Sequence, residues 1–482
     1  EKFEIPVIFR PAIRVCHAKQ NVTLGKITAI TRPAKFDRNP ERWAATPKYR
    51  LILHRELNRK LELIRNEFEK QTDKNYATLG KKRTRLGIIA CGVSFAIVRD
   101  ILSDCNLTDK VNVLKITTPY PLPIKLTGRF ISQCRQVLVI EETEDVIESQ
   151  ARQAASLQKS ADAQKILGRY NNTVPREGEL LPEVIYEIIR KALKKSGLTP
   201  ALPKTDNKLA ILVGDLKLPV RRPTLCPGCP HRASFYGIKK ALPNAIYSSD
   251  IGCYTLGINL GAVDTCLDMG GGITLANGFY QAFKHNNQDM PIVGTIGDST
   301  FYHAGIPALV NAVYTGARFV LVILDNSITA MTGMQPTPDL GSLADGTKGQ
   351  RVPLLELVRG CGVPPEGIKE CDPYDVNSFI QLVKEAYNYT QSPNGGMAVV
   401  IAKHPCPLYY RETHRKNRVE VMIRKELCNG CRHCIKAFEC PALVYDEETR
   451  KADINRTFCT ECGVCVYVCK QKAIETIKRS AD

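Results

Sequence analysis

The last 55 residues constrain this chain most. They carry eight cysteines, as Cys428-x2-Cys431-x2-Cys434-x5-Cys440-Pro441 and then Cys459-x2-Cys462-x2-Cys465-x3-Cys469. Two tight triplets, each with a distant fourth thiol, are the pattern that wraps two [4Fe–4S] cubes. The fourth cysteine of each run ligates the other cube. The spacing therefore pairs Cys428, Cys431, Cys434 and Cys469 on one cluster. Cys459, Cys462, Cys465 and Cys440 go to the second. Structural zinc and disulfides compete with this reading. Zinc sites, however, draw four ligands from two CxxC pairs, not from two triplets with crossed partners. Lys470 stands where the second run usually has proline, which weakens a turn and leaves the ligands untouched. One-electron transfer must belong to the function.

Length and charge frame the rest. A chain of 482 residues has room for about three domains. At 44% apolar and 24% charged it reads as an ordinary globular protein. No apolar run reaches the ~18 residues that a membrane span needs. Glu1-Lys2-Phe3-Glu4-Ile5-Pro6 lacks the shape of a signal peptide. Thiolate ligands need a reducing compartment, so a cytoplasmic location is expected. The net charge is +18, and residues 1–85 carry 21 Lys or Arg against 9 Asp or Glu, a net of +12. No nucleic-acid recognition motif accompanies that charge. It reads as a solvated face or as a surface that steers acidic partners. The seven cysteines without a motif, Cys16, Cys91, Cys105, Cys134, Cys266, Cys361 and Cys371, are expected as small buried apolar residues.

Periodicity divides the chain. Pro6–Arg10 is strand-like. Leu53, Leu57, Leu61, Ile64 and Phe68 recur at helical spacing over 48–70. From Arg85, Leu86–Ala90 reads as a strand, Cys91–Ser94 as a turn, and Phe95–Leu102 as a helix. Gln136–Ile140 is a further strand, and residues 151–205 read as helical and polar, ending in a Pro-rich linker. A second unit begins near 208. Its strands, Pro291–Ile296 and Phe319–Leu324, are continuous apolar runs, as expected when both faces are covered. Strands alternating with helices predict open parallel α/β sheets.

Both of those strands end in polar residues: Gly297-Asp298-Ser299 after the first, Asp325-Asn326-Ser327 after the second. Open α/β sheets bind ligands at the carboxyl ends of strands. A divalent cation on a diphosphate needs hard oxygen ligands. Asp298 offers a carboxylate, Asn326 an amide oxygen, and Ile328 a backbone carbonyl. The arrangement resembles the thiamine-diphosphate motif of the thiamine enzymes, with Ser299 in place of the usual third glycine. Alone it is weak, because Asp and Asn favour turns anyway. Met269-Gly270-Gly271-Gly272 before an expected helix, Ile273–Phe283, strengthens it, since small residues let backbone amides approach a phosphate. Thiamine diphosphate with Mg2+ is therefore expected, held by Gly270, Gly271, Gly272, Gly297, Asp298, Ser299, Asn326 and Ile328.

Further strings carry a family resemblance. Leu225-Cys226-Pro227-Gly228-Cys229-Pro230-His231-Arg232, Ser249-Asp250-Ile251-Gly252-Cys253 and Ala330-Met331-Thr332-Gly333-Met334-Gln335 resemble the 2-oxoacid:ferredoxin oxidoreductases. The Pro-His-Arg variant and the fused two-cluster tail narrow this to large subunits of the indolepyruvate branch. The resemblance implies two open parallel-sheet, transketolase-like domains followed by a small α+β ferredoxin-like domain. The segments are then 1–30, a remnant of a pyrimidine-binding domain; 31–84, a basic linker with a helix; 85–205, a transketolase C-terminal-like domain; 208–415, the thiamine-diphosphate domain; and 420–482, the cluster domain. In that family a full pyrimidine-binding domain supplies the glutamate that activates the cofactor, and no glutamate here is assigned that role. The implied activity is oxidative decarboxylation of an aryl pyruvate, with ferredoxin as electron acceptor, coenzyme A as acyl acceptor and a smaller beta subunit as partner. Thr332 is expected at the cofactor. His231 is either a catalytic group beside the cofactor or a satisfied hydrogen-bonding side chain. In single-cluster relatives, cysteines at matching positions bind a [4Fe–4S] cube near the thiazolium. That likeness implies a third, proximal cluster on Cys226, Cys229, Cys253 and Cys406, against the alternative of a tight CxxC turn or a zinc half-site.

Overall fold

The computed structural model describes residues 2–27, 33–78, 83–157, 165–198, 207–216, 222–410 and 418–477. The chain forms two units, Glu1–Leu218 and Pro219–Asp482.

In the first unit, Pro47 opens a helix, Pro47–Phe68, as its fixed φ suits a first helical position. Only its C-terminal end is covered: Ile64 is buried, while Leu57 is 43% exposed. The strand expected at Pro6–Arg10 is absent. Val7, Ile8 and Phe9 are over 80% exposed. An apolar run forms a strand only where another strand accepts its hydrogen bonds, and no described segment pairs with this one. A five-stranded sheet follows: β1 (Tyr76–Thr78), β2 (Thr84–Cys91), β3 (Val111–Ile116), β4 (Cys134–Ile140) and β5 (Ile166–Leu167), ordered β1-β3-β2-β4-β5. Only β1 runs antiparallel. The turn after β2 is tighter than expected. Gly92 takes φ +55, and the helix Gly92–Asp104 starts there rather than at Phe95. Residues 151–205 are not one helical stretch: β5 separates the helices Val146–Ser156 and Pro182–Lys195. The Pro-rich linker lies outside the described residues.

The second unit holds a six-stranded sheet, all parallel. Its strands are β6 (Ile246–Ser249), β7 (Thr265–Cys266), β8 (Ile292–Gly297), β9 (Val320–Asp325), β12 (Ile368–Cys371) and β13 (Ala398–Lys403), ordered β12-β13-β9-β8-β6-β7. A small hairpin, β10 (Ile328–Thr329) with β11 (Gln335–Pro336), follows β9. The apolar runs alternate between two cores. Val320, Val322 and Leu324 face one, with Phe235 and Phe379; Leu321 and Ile323 face the other, with Ile273 and Leu309. The tail pairs β14 (Glu420–Ile423) with β17 (Ile474–Ile477) and β15 (Leu443–Asp446) with β16 (Lys451–Ile454), all antiparallel. It does not stand apart: Ala233, Tyr236 and Val376 of the parallel-sheet part pack into the tail's core.

The motif-free cysteines split. Cys105, Cys134 and Cys361 are buried, Cys91, Cys266 and Cys371 are half-buried, and Cys16 is exposed. Cys16 lies in the N-terminal stretch that no sheet covers. No helix among the described residues is long and apolar enough to cross a membrane.

Candidate functional site

Three acids follow the carboxyl ends of three neighbouring strands: Asp250 after β6, Asp298 after β8 and Asp325 at the end of β9. Asp298 is 4% exposed, and its Oδ2 has no hydrogen-bond partner among the described residues. Burial, then the charge of Asp325, pushes its carboxyl well above the ordinary range, although the Ser299 and Ser327 amides pull the other way. Asp325 is itself buried. Its Oδ1 accepts from the Ser327 amide at 2.9 Å, and Lys403 Nζ lies 3.3 Å from its Oδ2. Two buried carboxyls, whose Asp298 Oδ2 and Asp325 Oδ2 both lack a hydrogen bond among the described residues while only Asp325 Oδ2 has an ion-pair partner in Lys403, form a place where a hard divalent cation would bind. The donor set at Asp298 thus fits Mg2+.

Asn326 is held at both ends of its amide. Nδ2 lies 3.2 Å from His231 Nε2, and Oδ1 accepts from the Ile328 amide at 3.2 Å. An amide nitrogen only donates, so Nε2 must accept and Nδ1 must carry the ring proton. Burial lowers the pKa of His231 to about 4, so the ring is neutral at pH 7. His231 is thereby engaged in orienting Asn326. The amide oxygen keeps a free lone pair for a further partner. Ser299 Oγ accepts from Thr329 Oγ1 at 2.8 Å and ties the end of β8 to the hairpin after β9. Thr332 is not brought to this place. It is exposed in the hairpin turn and donates to its neighbour Gln335 at 2.8 Å.

The glycines pack closely. The helix begins at Gly271, two residues before the expected Ile273, and runs to His285. A Cβ on Gly272 would lie 2.6 Å from Thr295 O, and one on Gly297 would lie 2.5 Å from the Tyr254 ring. Their amides, however, are already engaged. Gly270 N donates to Asp250 Oδ2 at 2.8 Å, Gly272 N also donates to Asp250, and Gly271 N donates to Asp268 O at 3.2 Å. Asp250 thus caps this helix, where an anion was expected. Burial raises its pKa to about 6, and Tyr254 Oη donates to its other oxygen.

The cysteines gather in three groups. Cys428, Cys431, Cys434 and Cys469 ring one small cavity of the tail. Cys440, Cys459, Cys462 and Cys465 ring a second. Among the described residues, no three His, Cys, Asp or Glu converge to hold a single metal ion. The ligands of a cube sit around its corners rather than on one centre. The third group is looser. Cys229 caps the helix Pro230–Ala241, and its amide donates to Cys226 O at 3.1 Å. The Cys406 amide donates to Asn326 O at 3.1 Å, which joins this group to the acid site. Burial, then neighbouring Cys226 and Cys406, pushes the Cys253 thiol up to about 11, and burial pushes Cys229 up to about 12. Tyr374 Oη donates to Gly228 O within the CxxC loop.

Sequence reasoning gave no role to Asp250, Asp325, Lys403 or Tyr254. A signal existed for two of them, since Asp250 and Asp325 end strands within strings that were already singled out. Tyr254 lies four residues beyond Asp250, just past the same string, whereas Lys403 arrives from a distant strand and local spacing carries no trace of it.

The chain matches three family models: the C-terminal TPP-binding domain of thiamine pyrophosphate enzymes over residues 250–402, the indolepyruvate ferredoxin oxidoreductase middle domain over 75–179, and a 4Fe-4S dicluster domain over 420–470. It is 39% identical to indolepyruvate oxidoreductase subunit IorA of Archaeoglobus fulgidus, across 99% of this chain and 73% of that one. Its identity to the IorA subunit of Thermococcus kodakarensis is 36%, across 99% and 74%. Among solved structures it is similar to 2-oxoglutarate:ferredoxin oxidoreductase from Magnetococcus marinus, at 19% identity and a TM-score of 0.33 over 42% of this chain and 70% of that one, a likeness too slight to bear on the fold. With this identity over nearly its whole length, the chain belongs to the indolepyruvate oxidoreductase subunit IorA family, oxidoreductases with a thiamine pyrophosphate domain and a 4Fe-4S dicluster domain.

Proposed function

We propose that this chain oxidatively decarboxylates aryl pyruvates, indolepyruvate foremost, to aryl-acetyl-coenzyme A and delivers the electrons to ferredoxin. The observation that carries this reading is the orphaned, buried Asp298 Oδ2 at the strand ends, in the same unit as two cavities that are each ringed by four cysteines. Asp298, Asn326 and the Ile328 carbonyl would hold Mg2+, with Asp325 as a neighbouring acid and Asp298 binding as its carboxylate. His231 fixes the Asn326 amide through its Nδ2, which leaves the amide oxygen as the ligand atom. Thiamine diphosphate, once bound, supplies the electron sink that lets carbon dioxide leave a 2-oxoacid. The tail cysteines hold two [4Fe–4S] clusters, and Cys226, Cys229, Cys253 and Cys406 hold a third. The Cys406 amide on Asn326 O supports that third site, because it keeps a cluster ligand one hydrogen bond from the cation site. A smaller beta subunit and a cytoplasmic setting complete the proposal.

The test is anaerobic reduction of a dye by indolepyruvate. Reduction that requires coenzyme A is the expected result. Carbon dioxide release with no dye reduction would make the protein a non-oxidative decarboxylase. Preference for an aliphatic 2-oxoacid would keep the chemistry and overturn the aryl substrate.

A further inference from the structure

Arg232 is 1% exposed, and among the described residues its guanidinium donates to main-chain carbonyls and lies over an aromatic ring. Nη1 donates to Phe438 O at 2.9 Å and to Glu439 O. Nη2 donates to Leu225 O and, at 3.4 Å, to Cys226 O. Its guanidinium carbon lies 5.7 Å from the Phe438 ring centroid. None of the described carboxylates forms an ion pair with it, and the nearby Glu439 is paired with Arg222 instead. A guanidinium does not give up its proton. A buried permanent charge with no counter-charge is costly, so sites of this kind normally hold a negative partner.

The four carbonyls identify that partner. Leu225 and Cys226 begin the CxxC loop, and Phe438 and Glu439 immediately precede Cys440. Cys440 and Cys229, then Glu439 and Cys226, are the acidic groups that act electrostatically on the guanidinium. A [4Fe–4S] unit on four thiolates carries net negative charge, and more of it when reduced.

We propose that Arg232 is a positioning residue for electron transfer: a fixed cation that clamps the CxxC loop to the Cys440 loop and raises the reduction potential of the cluster on Cys440, Cys459, Cys462 and Cys465. The inference rests on the cluster assignment above. Reduction adds negative charge beside the guanidinium, and the low-dielectric surroundings strengthen their attraction. The CxxC loop also touches the Cys459 loop of the same cluster, since a Cβ on Gly228 would lie 2.2 Å from Thr460 Oγ1. Arg232 is therefore not the sole tie between the CxxC loop and the tail among the described residues.

The experiment is an anaerobic, EPR-monitored redox titration of the holoenzyme, with iron counted first, for wild type, Arg232→Lys and Arg232→Met. Wild type without tail clusters would sink the cluster assignment itself. With clusters present, Arg232→Met should lower the midpoint of the Cys440-bound cluster by about 59 mV, a tenfold weaker one-electron affinity. Arg232→Lys should keep most of the wild-type potential. Unchanged potentials in Arg232→Met overturn the proposal, as does an equal shift in both variants. If Arg232→Met loses that cluster, Arg232→Lys decides alone: a near-wild-type midpoint supports the fixed charge, and a tenfold loss of electron affinity overturns it.

Discussion

Two buried acids occupy the same architectural place in the two units and do opposite things. Glu141 follows the carboxyl end of β4 in the first sheet, and Asp298 follows β8 in the second. Both are under 5% exposed, and burial raises the pKa of both. Both oxygens of Glu141 are engaged: Oε2 accepts from the Ile147 amide and Oε1 from the Glu148 amide, each at 2.7 Å, which caps the helix that follows. Asp298 keeps one oxygen with no hydrogen-bond partner among the described residues and has a second acid beside it. Burial and a raised pKa therefore do not by themselves mark a binding site. What distinguishes Asp298 is the unsatisfied oxygen together with a second buried acid beside it at the strand ends.

The strongest way to break this contrast is to remove each acid. Asp298→Ala should abolish measurable thiamine diphosphate binding, a loss of at least about 100-fold, the upper end for loss of a metal-site group. The visible absorption of the clusters should survive. Glu141→Ala should leave cofactor affinity unchanged and lower the melting temperature. A smaller loss is expected at the cysteines beside Asn326. Anaerobically purified protein should hold about twelve irons per chain, from three four-iron cubes, and Cys226→Ser about eight. About eight irons in both proteins would remove the third cluster.

The next effect concerns pH. Burial raises Glu141 to about 7 from a usual 4.5, so the folded state holds a proton that the unfolded chain releases earlier. Its stabilising contribution is complete below about pH 4.5 and is lost as pH rises through about 7. Glu141→Gln should flatten stability between about pH 5 and pH 8, a difference of up to about 3 kcal/mol. Urea denaturation across that range reads it directly, and an unchanged slope would contradict the assignment. The smallest effect sharpens the role of His231. His231→Gln can still accept from Asn326 Nδ2, whereas His231→Leu cannot. Calorimetric titration should show about tenfold weaker cofactor binding for Leu, the worth of about one hydrogen bond, and near-wild-type binding for Gln. Full catalytic loss in Gln with intact binding would make His231 a catalytic group instead.

How much of this was legible depended on how local each signal was. The cysteine triplets are local, and the structure gathers the eight thiols into the two sets that their spacing implies. Asp298 and Asn326 were readable because each ends a run of six or so apolar residues. The use of the Gly270 and Gly272 amides by Asp250 was not readable, since that carboxylate comes from a different strand. Arg232 looked like part of a motif, and only the packing of the tail against its helix revealed its carbonyl cage. Pro6–Arg10 misled, because β-forming composition says nothing about a partner strand.

The central claim is that the partnerless oxygen of Asp298 is completed by a divalent cation on thiamine diphosphate. The direct measurement is calorimetric titration of thiamine diphosphate into wild type and Asp298→Asn, each with Mg2+ and with chelator. The account predicts saturable binding that needs both Mg2+ and the carboxylate, and that weakens as pH falls and Asp298 takes up its proton. Equal affinity in Asp298→Asn, or binding indifferent to Mg2+, would contradict it.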